Sequence, residues 1–274
     1  MKWDVPGATF GVVAGLWRYP VKSFQGESLE NSEVTENGVG GDRIFGVVER
    51  STDVLLSAKR TPLLLEGAAS LVSDSVAELT FGGTTIRSDN PGVHGALSDW
   101  LDLDVELRSP KSGRRTIIEM QVDLDDDSQL AEFSTRPGWF FDSCSLNLIS
   151  TTSLDAARAL YPAGAWGVNR FRPNVLIATE TSVDEQAIDV EGRPGFVDDD
   201  LVGFIATIGS VEITVTKRCD RCVMITRPFG DYARDRALLR TLGRFHGNEL
   251  GVNSMVNSSG KIKLGDTLKL LRRS

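Results

Sequence analysis

The amino-acid sequence predicts an α+β protein that is mainly β, folded as antiparallel or mixed barrels in two lobes of similar size. Three observations predict it. Stretches rich in β-branched and aromatic residues outnumber helical ones. Several follow one another through short turns, with no helix between. An acidic run, Asp123 to Asp127, interrupts the pattern near the middle of the 274-residue chain. Strands joined directly form antiparallel or mixed sheets, whereas a doubly wound sheet needs a helix between each pair. With 41% hydrophobic and 25% charged residues, the chain can bury one large core or two smaller ones. The expected division is 8–122 and 123–274.

In order, "GVVAGLWRYP" (Gly11–Pro20) and "RIFGVVER" (Arg43–Arg50) read as strands, followed by the short runs "VLLSA", "AELTF" and "TTIRS". The last two flank Gly82-Gly83, a hairpin signal. "VHGALSDWL" (Val93–Leu101) has helical spacing and precedes the strand-like "DVELRS". The acidic run is expected as a solvated loop; it lacks the glycine and terminal glutamate of an EF-hand calcium loop. Beyond it come the strand "SLNLIST", a helix capped near Thr152 or Ser153, and the strand "PNVLIAT". "LVGFIATIGSVEITVTKR" reads as a hairpin turning at Gly209-Ser210, "DYARDRALLRTLGRF" as a helix, and "GKIKLGDTLKLL" as a turn and a strand.

Charge and composition narrow the function. Carboxylates exceed Lys+Arg by 38 to 30, for a net charge of −8, which argues against a broad nucleic-acid-binding face. No apolar run approaches the ~20 residues that span a bilayer, and the start, "MKWDVPGATF", shows no signal peptide. Three cysteines do not suggest a disulfide framework, so a cytoplasmic location is expected.

Two of those cysteines stand in "TKRCDRCVMITRP", where Lys217, Arg218, Arg221 and Arg227 surround Cys219 and Cys222. A zinc hook needs four ligands, and only Cys144, His94 and His246 remain, at spacings unlike the common patterns. A redox dithiol should open a helix, whereas "VMIT" after Cys222 favours a strand. Cys219 can also pack as a small hydrophobe. The third chemistry is a thiolate held among cations, a ligand for a soft or high-valent metal on an anionic carrier. Such a carrier needs cations elsewhere. Lys22 and Ser23 follow Pro20 in "RYPVKSFQGESL", Arg43 follows a glycine turn in "GVGGDRIF", and Arg172 precedes Pro173 in "NRFRPNVLI".

From "LWRYPVKSFQGESL" through "GDRIFGVV", "RFRPN" and "CDRC" to "GKIKLGD", the sequence resembles the MOSC (molybdenum cofactor sulfurase C-terminal) domain proteins. In particular, it is similar to those with an N-terminal MOSC-associated β-barrel, among them the mitochondrial amidoxime reducing component and its bacterial relatives. The resemblance implies a MOSC-type β-barrel over 123–274 and a β-barrel-like domain over 8–122. It also implies a molybdenum–molybdopterin cofactor with Cys222 as the metal's thiolate and catalytic ligand. Lys22, Ser23, Arg43 and Arg172 match positions that hold the cofactor's phosphate and pterin. "FDSCSLNL" resembles a cofactor-contacting loop, making Ser143 and Cys144 candidates, and Asp220 and Arg221 line the same turn. Two positions depart from the vertebrate pattern: Asp220 replaces a small hydroxyl residue and Asn253 an aromatic.

The activity implied is reduction of N-hydroxylated compounds such as amidoximes and hydroxylamines. Its electrons would come from an external electron-transfer protein and reductase. Three cysteines cannot supply the four ligands of an Fe–S cluster, and no dinucleotide or flavin segment is expected. A different class, a cofactor-binding or sulfur-carrier module without turnover, is the alternative; a double barrel with a vestigial site is a third. Neither a nucleic-acid nor a membrane partner is expected.

Overall fold

The computed structural model describes residues 7–110, 115–121, 130–141, 143–179 and 195–273. Its first strands are β1 (Thr9–Arg18), β2 (Glu27–Ser28), β3 (Asn31–Thr35), β4 (Gly38–Val39), β5 (Gly46–Glu49) and β6 (Val54–Leu55). Next come β7 (Ala68–Ser73), β8 (Val76–Phe81), β9 (Thr84–Arg87), α1 (Val93–Leu101), β10 (Val105–Arg108), β11 (Ile117–Gln121) and β12 (Leu130–Ser134). The C-terminal half runs β13 (Leu146–Ser150), α2 (Thr151–Leu160), β14 (Val175–Thr179), β15 (Phe204–Ile208) and β16 (Val211–Asp220). It ends with α3 (Ala237–His246), β17 (Glu249–Ser258), β18 (Gly260–Lys263) and β19 (Thr267–Arg273).

The mainly β fold expected from the sequence is the fold observed. Seven strands close a barrel in the order β14-β13-β17-β16-β15-β19-β1, with β1 pairing back to β14 and β2 appended at its edge. Phe10, Val13 and Leu16 of β1 enter the barrel interior; the strand breaks its alternation by register shifts between Thr9 and Gly11 and between Val13 and Gly15. There they meet Val175, Ile177, Ala206, Ile213, Val252 and Leu268. This first strand therefore belongs to a sheet made otherwise mostly from residues beyond 145. A second link is β18, which pairs with β3.

The remaining N-terminal strands form a five-stranded sheet, β10-β5-β6-β11-β12, and a three-stranded one, β7-β8-β9. Their shared core includes Phe24, Val47, Leu56, Leu79 and Phe81, closed by Val93 and Leu97 on the apolar face of α1. The hairpin at Gly82-Gly83 forms as expected, with both residues at positive φ (53° and 79°).

Three local expectations are corrected, and one strand had no expectation. The cap of α2 is Ser150, whose Oγ accepts the Ser153 N–H at 3.1 Å, so the helix starts before Thr152. "VMIT" is a 3₁₀ turn rather than a strand. The Thr226 hydroxyl donates to Val223 O at 2.8 Å, and Pro228 follows, so local bonds outweigh β-branched preference. The third helix begins at Ala237, where Asp235 Oδ1 takes the backbone N–H at 2.9 Å, and 231–236 is not helical. Finally, "ELGVNSMVNS", unmarked by sequence pattern, forms the ten-residue β17. The acidic run 123–127 lies outside the described residues. Among those described, no helix is long and apolar enough to cross a membrane.

Gly251 in β17 shows how closely this sheet is packed beside the site. Its φ is 74°, and an added Cβ would lie 2.5 Å from Leu148 O and Ile149 Cγ1 and 3.1 Å from Arg221 Nη2. Gly83 has φ 79° and open space around it. Gly251→Ala is expected to lower unfolding free energy by roughly 3 kcal/mol, and Gly83→Ala by about 1 kcal/mol, the conformational part alone. Urea unfolding of the two variants checks this; equal losses would contradict the packing argument.

Candidate functional site

The end of β16 is irregular. Its register against β17 shifts between Val215 and Lys217 and again between Arg218 and Asp220. Such bulges break the alternation of faces and re-aim side chains. As a result Lys217, Cys219 and Asp220 all line one cavity, together with Arg221 and Cys222 just beyond the strand. The cavity encloses about 400 Å³, within the size range of small-molecule sites.

Other walls come from distant segments. Lys22 and Ser23 follow β1, where Lys22 N–H donates to Phe45 O at 2.9 Å. Arg43 leaves the glycine turn after β4, held by its N–H on Tyr19 O at 2.8 Å. Arg172 follows a 3₁₀ turn at Val168–Arg170, and Ser143 and Cys144 precede β13. All nine site residues that the resemblance implied thus line the same cavity, Lys22, Ser23, Arg43, Ser143, Cys144, Arg172, Asp220, Arg221 and Cys222, whereas Arg218 and Arg227, also noted beside the cysteine pair, are not in its lining. Sequence reasoning missed Lys59, Asn147, Arg170 and Asn174, which line it too. Asn147 and Asn174, polar residues inside or beside apolar strands, carried a signal; Lys59 in "SAKR" carried none.

Ser23, Arg43 and Arg172 share a further property. Their φ values are 69°, 51° and 51°, three of the six non-glycine residues at positive φ among those described. Side chains there cost on the order of 1–3 kcal/mol and persist when surrounding bonds fix them. Ser23 Oγ accepts Ala58 N–H at 3.1 Å, and Arg172 Nη1 donates to Phe24 O at 2.5 Å.

The electrostatics are one-sided. Seven Lys or Arg residues line the cavity against one carboxylate, Asp220, in a chain of net charge −8. Five of the seven, Lys22, Lys59, Arg170, Arg172 and Arg221, are buried. Several are also structural. Arg221 donates to Leu250 O from Nε (2.8 Å) and Nη2 (2.5 Å), to Phe171 O (2.8 Å) and to Asn147 Oδ1 (3.3 Å). Arg170 donates to the carbonyls of Ala165, Ile225, Arg227 and Ala233. Their donors are largely committed to carbonyls, yet their charge faces the cavity. Arg43 pairs with Asp42; burial works against its charge, but Asp42, by its charge and its hydrogen bond, holds the pKa above the usual value.

A chain of amides runs along the polar wall. Asn174 Nδ2 donates to Asp42 Oδ2 (2.9 Å), Asn147 N to Asn174 Oδ1 (3.2 Å), and Asn147 Nδ2 to Asn253 Oδ1 (3.0 Å). The Cys144 thiol donates to the same Asn253 oxygen at 3.0 Å. Burial, then neighbouring Cys219, pushes the Cys144 pKa up to about 11 against the pull of Arg43, so this sulfur is a protonated donor at neutral pH. Burial likewise raises the Cys219 thiol, against the pull of Arg221.

The zinc and dithiol chemistries find no support in this geometry. Among the described residues, no three His, Cys, Asp or Glu side chains are grouped to hold a metal ion. His94 Nδ1 accepts Leu107 N–H at 3.1 Å, and both nitrogens of His246 are engaged, with Asp199 and Glu249 O at 2.8 Å. Cys222 precedes a four-residue 3₁₀ turn, not an α-helix.

Comparison with known families settles the kinship. The MOSC domain matches residues 135–269, and the MOSC N-terminal beta barrel domain matches residues 10–91. The chain belongs to the MOSC domain family. Among solved structures, the YuaD protein of Bacillus subtilis is 11% identical over 96% of this MOSC chain and 97% of that one, with a TM-score of 0.46. YiiM of Geobacillus stearothermophilus is 13% identical over 60% and 73% (TM-score 0.33), and YiiM of Escherichia coli 14% over 60% and 68% (TM-score 0.32). No curated protein matches the sequence. MOSC domains are linked to molybdenum-cofactor binding, and membership supports a function related to that cofactor. The residues present fit such a group: a cationic cavity suits a phosphorylated carrier, and the Cys222 sulfur lining it suits the metal.

The contacts of Arg221 make its loss a matter of folding as well as binding. Arg221→Lys cannot reproduce the fork and is expected to lower unfolding free energy by roughly 2–3 kcal/mol. Lys217→Ala, which breaks an exposed 3.0 Å pair with Asp220, is expected to cost under about 1 kcal/mol. Thermal and urea unfolding of the two proteins checks the contrast.

Proposed function

We propose that this MOSC protein holds a molybdenum–molybdopterin cofactor in the cationic cavity and reduces N-hydroxylated compounds with electrons from an external protein. The observation that carries the reading is the convergence of Lys22, Ser23, Arg43, Arg172 and Cys222, from four separate segments, on one cavity. When bound, the group supplies two-electron oxygen-transfer chemistry.

The chain's own residues do the rest. Lys22, Arg43 and Arg172 attract and orient the anionic phosphate and pterin through charge-assisted bonds. Ser23, fixed at positive φ, and the Ser143–Cys144 segment shape the cavity around it. Cys222 offers the soft thiolate that the metal takes. Arg221 and Arg170 fix the carbonyl framework, and their buried charge raises the local potential for an anion. Asp220, exposed and paired with Lys217, adds the one carboxylate of the cavity lining.

Cys222→Ser is expected to abolish reduction of an amidoxime at equal molybdenum loading, because a neutral hydroxyl replaces the sulfur ligand. Cys219→Ser is expected to be milder. Elemental analysis alongside a benzamidoxime reduction assay checks both, and wild-type turnover by loaded Cys222→Ser would overturn the ligand assignment.

Electron supply gives a second test. Purified protein with NADH or NADPH alone is expected to show little turnover, restored by a ferredoxin- or cytochrome-type donor with its reductase, or by a low-potential dye. Full NADH-dependent turnover by the chain alone would contradict the external-donor reading. A molybdenum-loaded protein inactive with every donor would favour the carrier function instead.

A further inference from the structure

Two of the cavity's cations share one buried ring. Tyr19 follows β1, is 3% exposed, and does not line the cavity itself. The guanidinium carbon of Arg172 lies 4.2 Å from its ring centroid and that of Arg43 lies 5.1 Å away. The backbone reinforces both contacts. Tyr19 O accepts the Arg43 N–H at 2.8 Å, and Asp42 Oδ1, one residue before Arg43, accepts the Tyr19 N–H at 2.7 Å. On the other side the Tyr19 hydroxyl donates to Pro173 O, one residue after Arg172, at 3.0 Å. Both arginines stand at φ 51°, a backbone state that a long side chain adopts only where its surroundings enforce it.

We propose that Tyr19 is a positioning residue that aims the guanidinium groups of Arg43 and Arg172 into the cavity for an anionic ligand. The proposal rests on the reading that this cavity takes a phosphorylated cofactor. A ring face holds a cation by its quadrupole and leaves its charge intact, whereas a carboxylate in the same place would neutralise it. Asp42 offsets part of the Arg43 charge and, by also accepting from Tyr19 N and Asn174 Nδ2, ties that pair to the ring's own backbone. Tyr19 stays neutral in this role: burial pushes its pKa up to about 12, even though Arg172 and Arg43 pull the other way. It can therefore orient two like charges without consuming either.

Three variants of the full chain test this: Tyr19→Phe keeps the ring and loses the hydroxyl, Tyr19→Leu loses the ring, and Phe81→Leu is a matched loss of a buried aromatic that packs on Phe24 and Trp100 and does not line the cavity. Bound molybdenum and pterin are measured on protein from a molybdopterin-producing host. On protein from a host unable to make the cofactor, the thermal shift with inorganic phosphate is measured against chloride at equal ionic strength. Tyr19→Phe and Phe81→Leu are expected to retain wild-type molybdenum content and phosphate response. Tyr19→Leu is expected to hold about ten-fold less molybdenum and lose most of the phosphate shift, as loss of two cation–π contacts implies. If Tyr19→Leu does not fold, Tyr19→Met, close in volume to Leu and also without a ring, is read the same way.

Wild-type molybdenum content and phosphate response in Tyr19→Leu would overturn the proposal, as would equal losses in Phe81→Leu. So would a wild-type protein indifferent to phosphate. A wild type that responds to phosphate but never holds molybdenum would instead overturn the cofactor reading, leaving Tyr19 to be judged by the phosphate arm.

Discussion

Burying cations around a cavity is the constraint on which the rest of this structure depends. An isolated buried ammonium or guanidinium group is strongly disfavoured unless hydrogen bonds or counter-charges surround it. The chain meets that demand mainly with its own carbonyls. Arg221 alone ties together the carbonyls of Phe171 and Leu250 and the side chain of Asn147. The long strand β17, the segment before β14 and the bulged end of β16 are thereby fixed to one another. Carbonyl oxygens stabilise a cation without cancelling its charge, so a site can be rigid and strongly positive at once. A cavity built with carboxylate partners would have kept the rigidity and lost the potential.

The same logic explains where the backbone departs from ordinary conformations. Ser23, Arg43 and Arg172 are held at positive φ next to well-made hydrogen bonds, and the cost of each is borne by neighbours such as Ala58, Tyr19 and Phe24. The site is therefore a property of sequence-distant segments packed together. Lys22 reaches Phe140 O at 2.8 Å, across the sequence that separates the first strand from β13.

Legibility followed the range of the forces involved. Hairpins at Gly82-Gly83 and Gly209-Ser210, and the helix at Val93–Leu101, are set by turn chemistry and apolar spacing within a few residues, and the sequence displayed them. The nine site residues were legible because they sit in motifs whose order carries the family likeness. β17 was not, because "ELGVNSMVNS" has weak strand preference and is buried by β13 on one side and β16 on the other. "VMIT" misled because β-branching is a local preference, and the Thr226 hydroxyl and Pro228 outweigh it. Lys59 was invisible for a different reason: nothing about a lysine in a loop reports that Arg227 Nη2 will bind its carbonyl at 2.7 Å and place it in the cavity wall.

Closure of the seven-stranded barrel by β1 has a consequence for how the protein is made. The first strand pairs with β14 on one side and β19 on the other, both synthesised long after it, and only its end, Trp17 and Arg18, finds a local partner in β2. A nascent chain carries this apolar ribbon, with most of both edges unsatisfied, until residues near 175 and then near 267 have left the ribosome. Contacts of such sequence separation are slow to form, and an open edge invites pairing with other chains in the interval. The yield of folded protein therefore depends on how the N-terminal segment is kept from other chains during synthesis, as well as on the stability of the finished barrel.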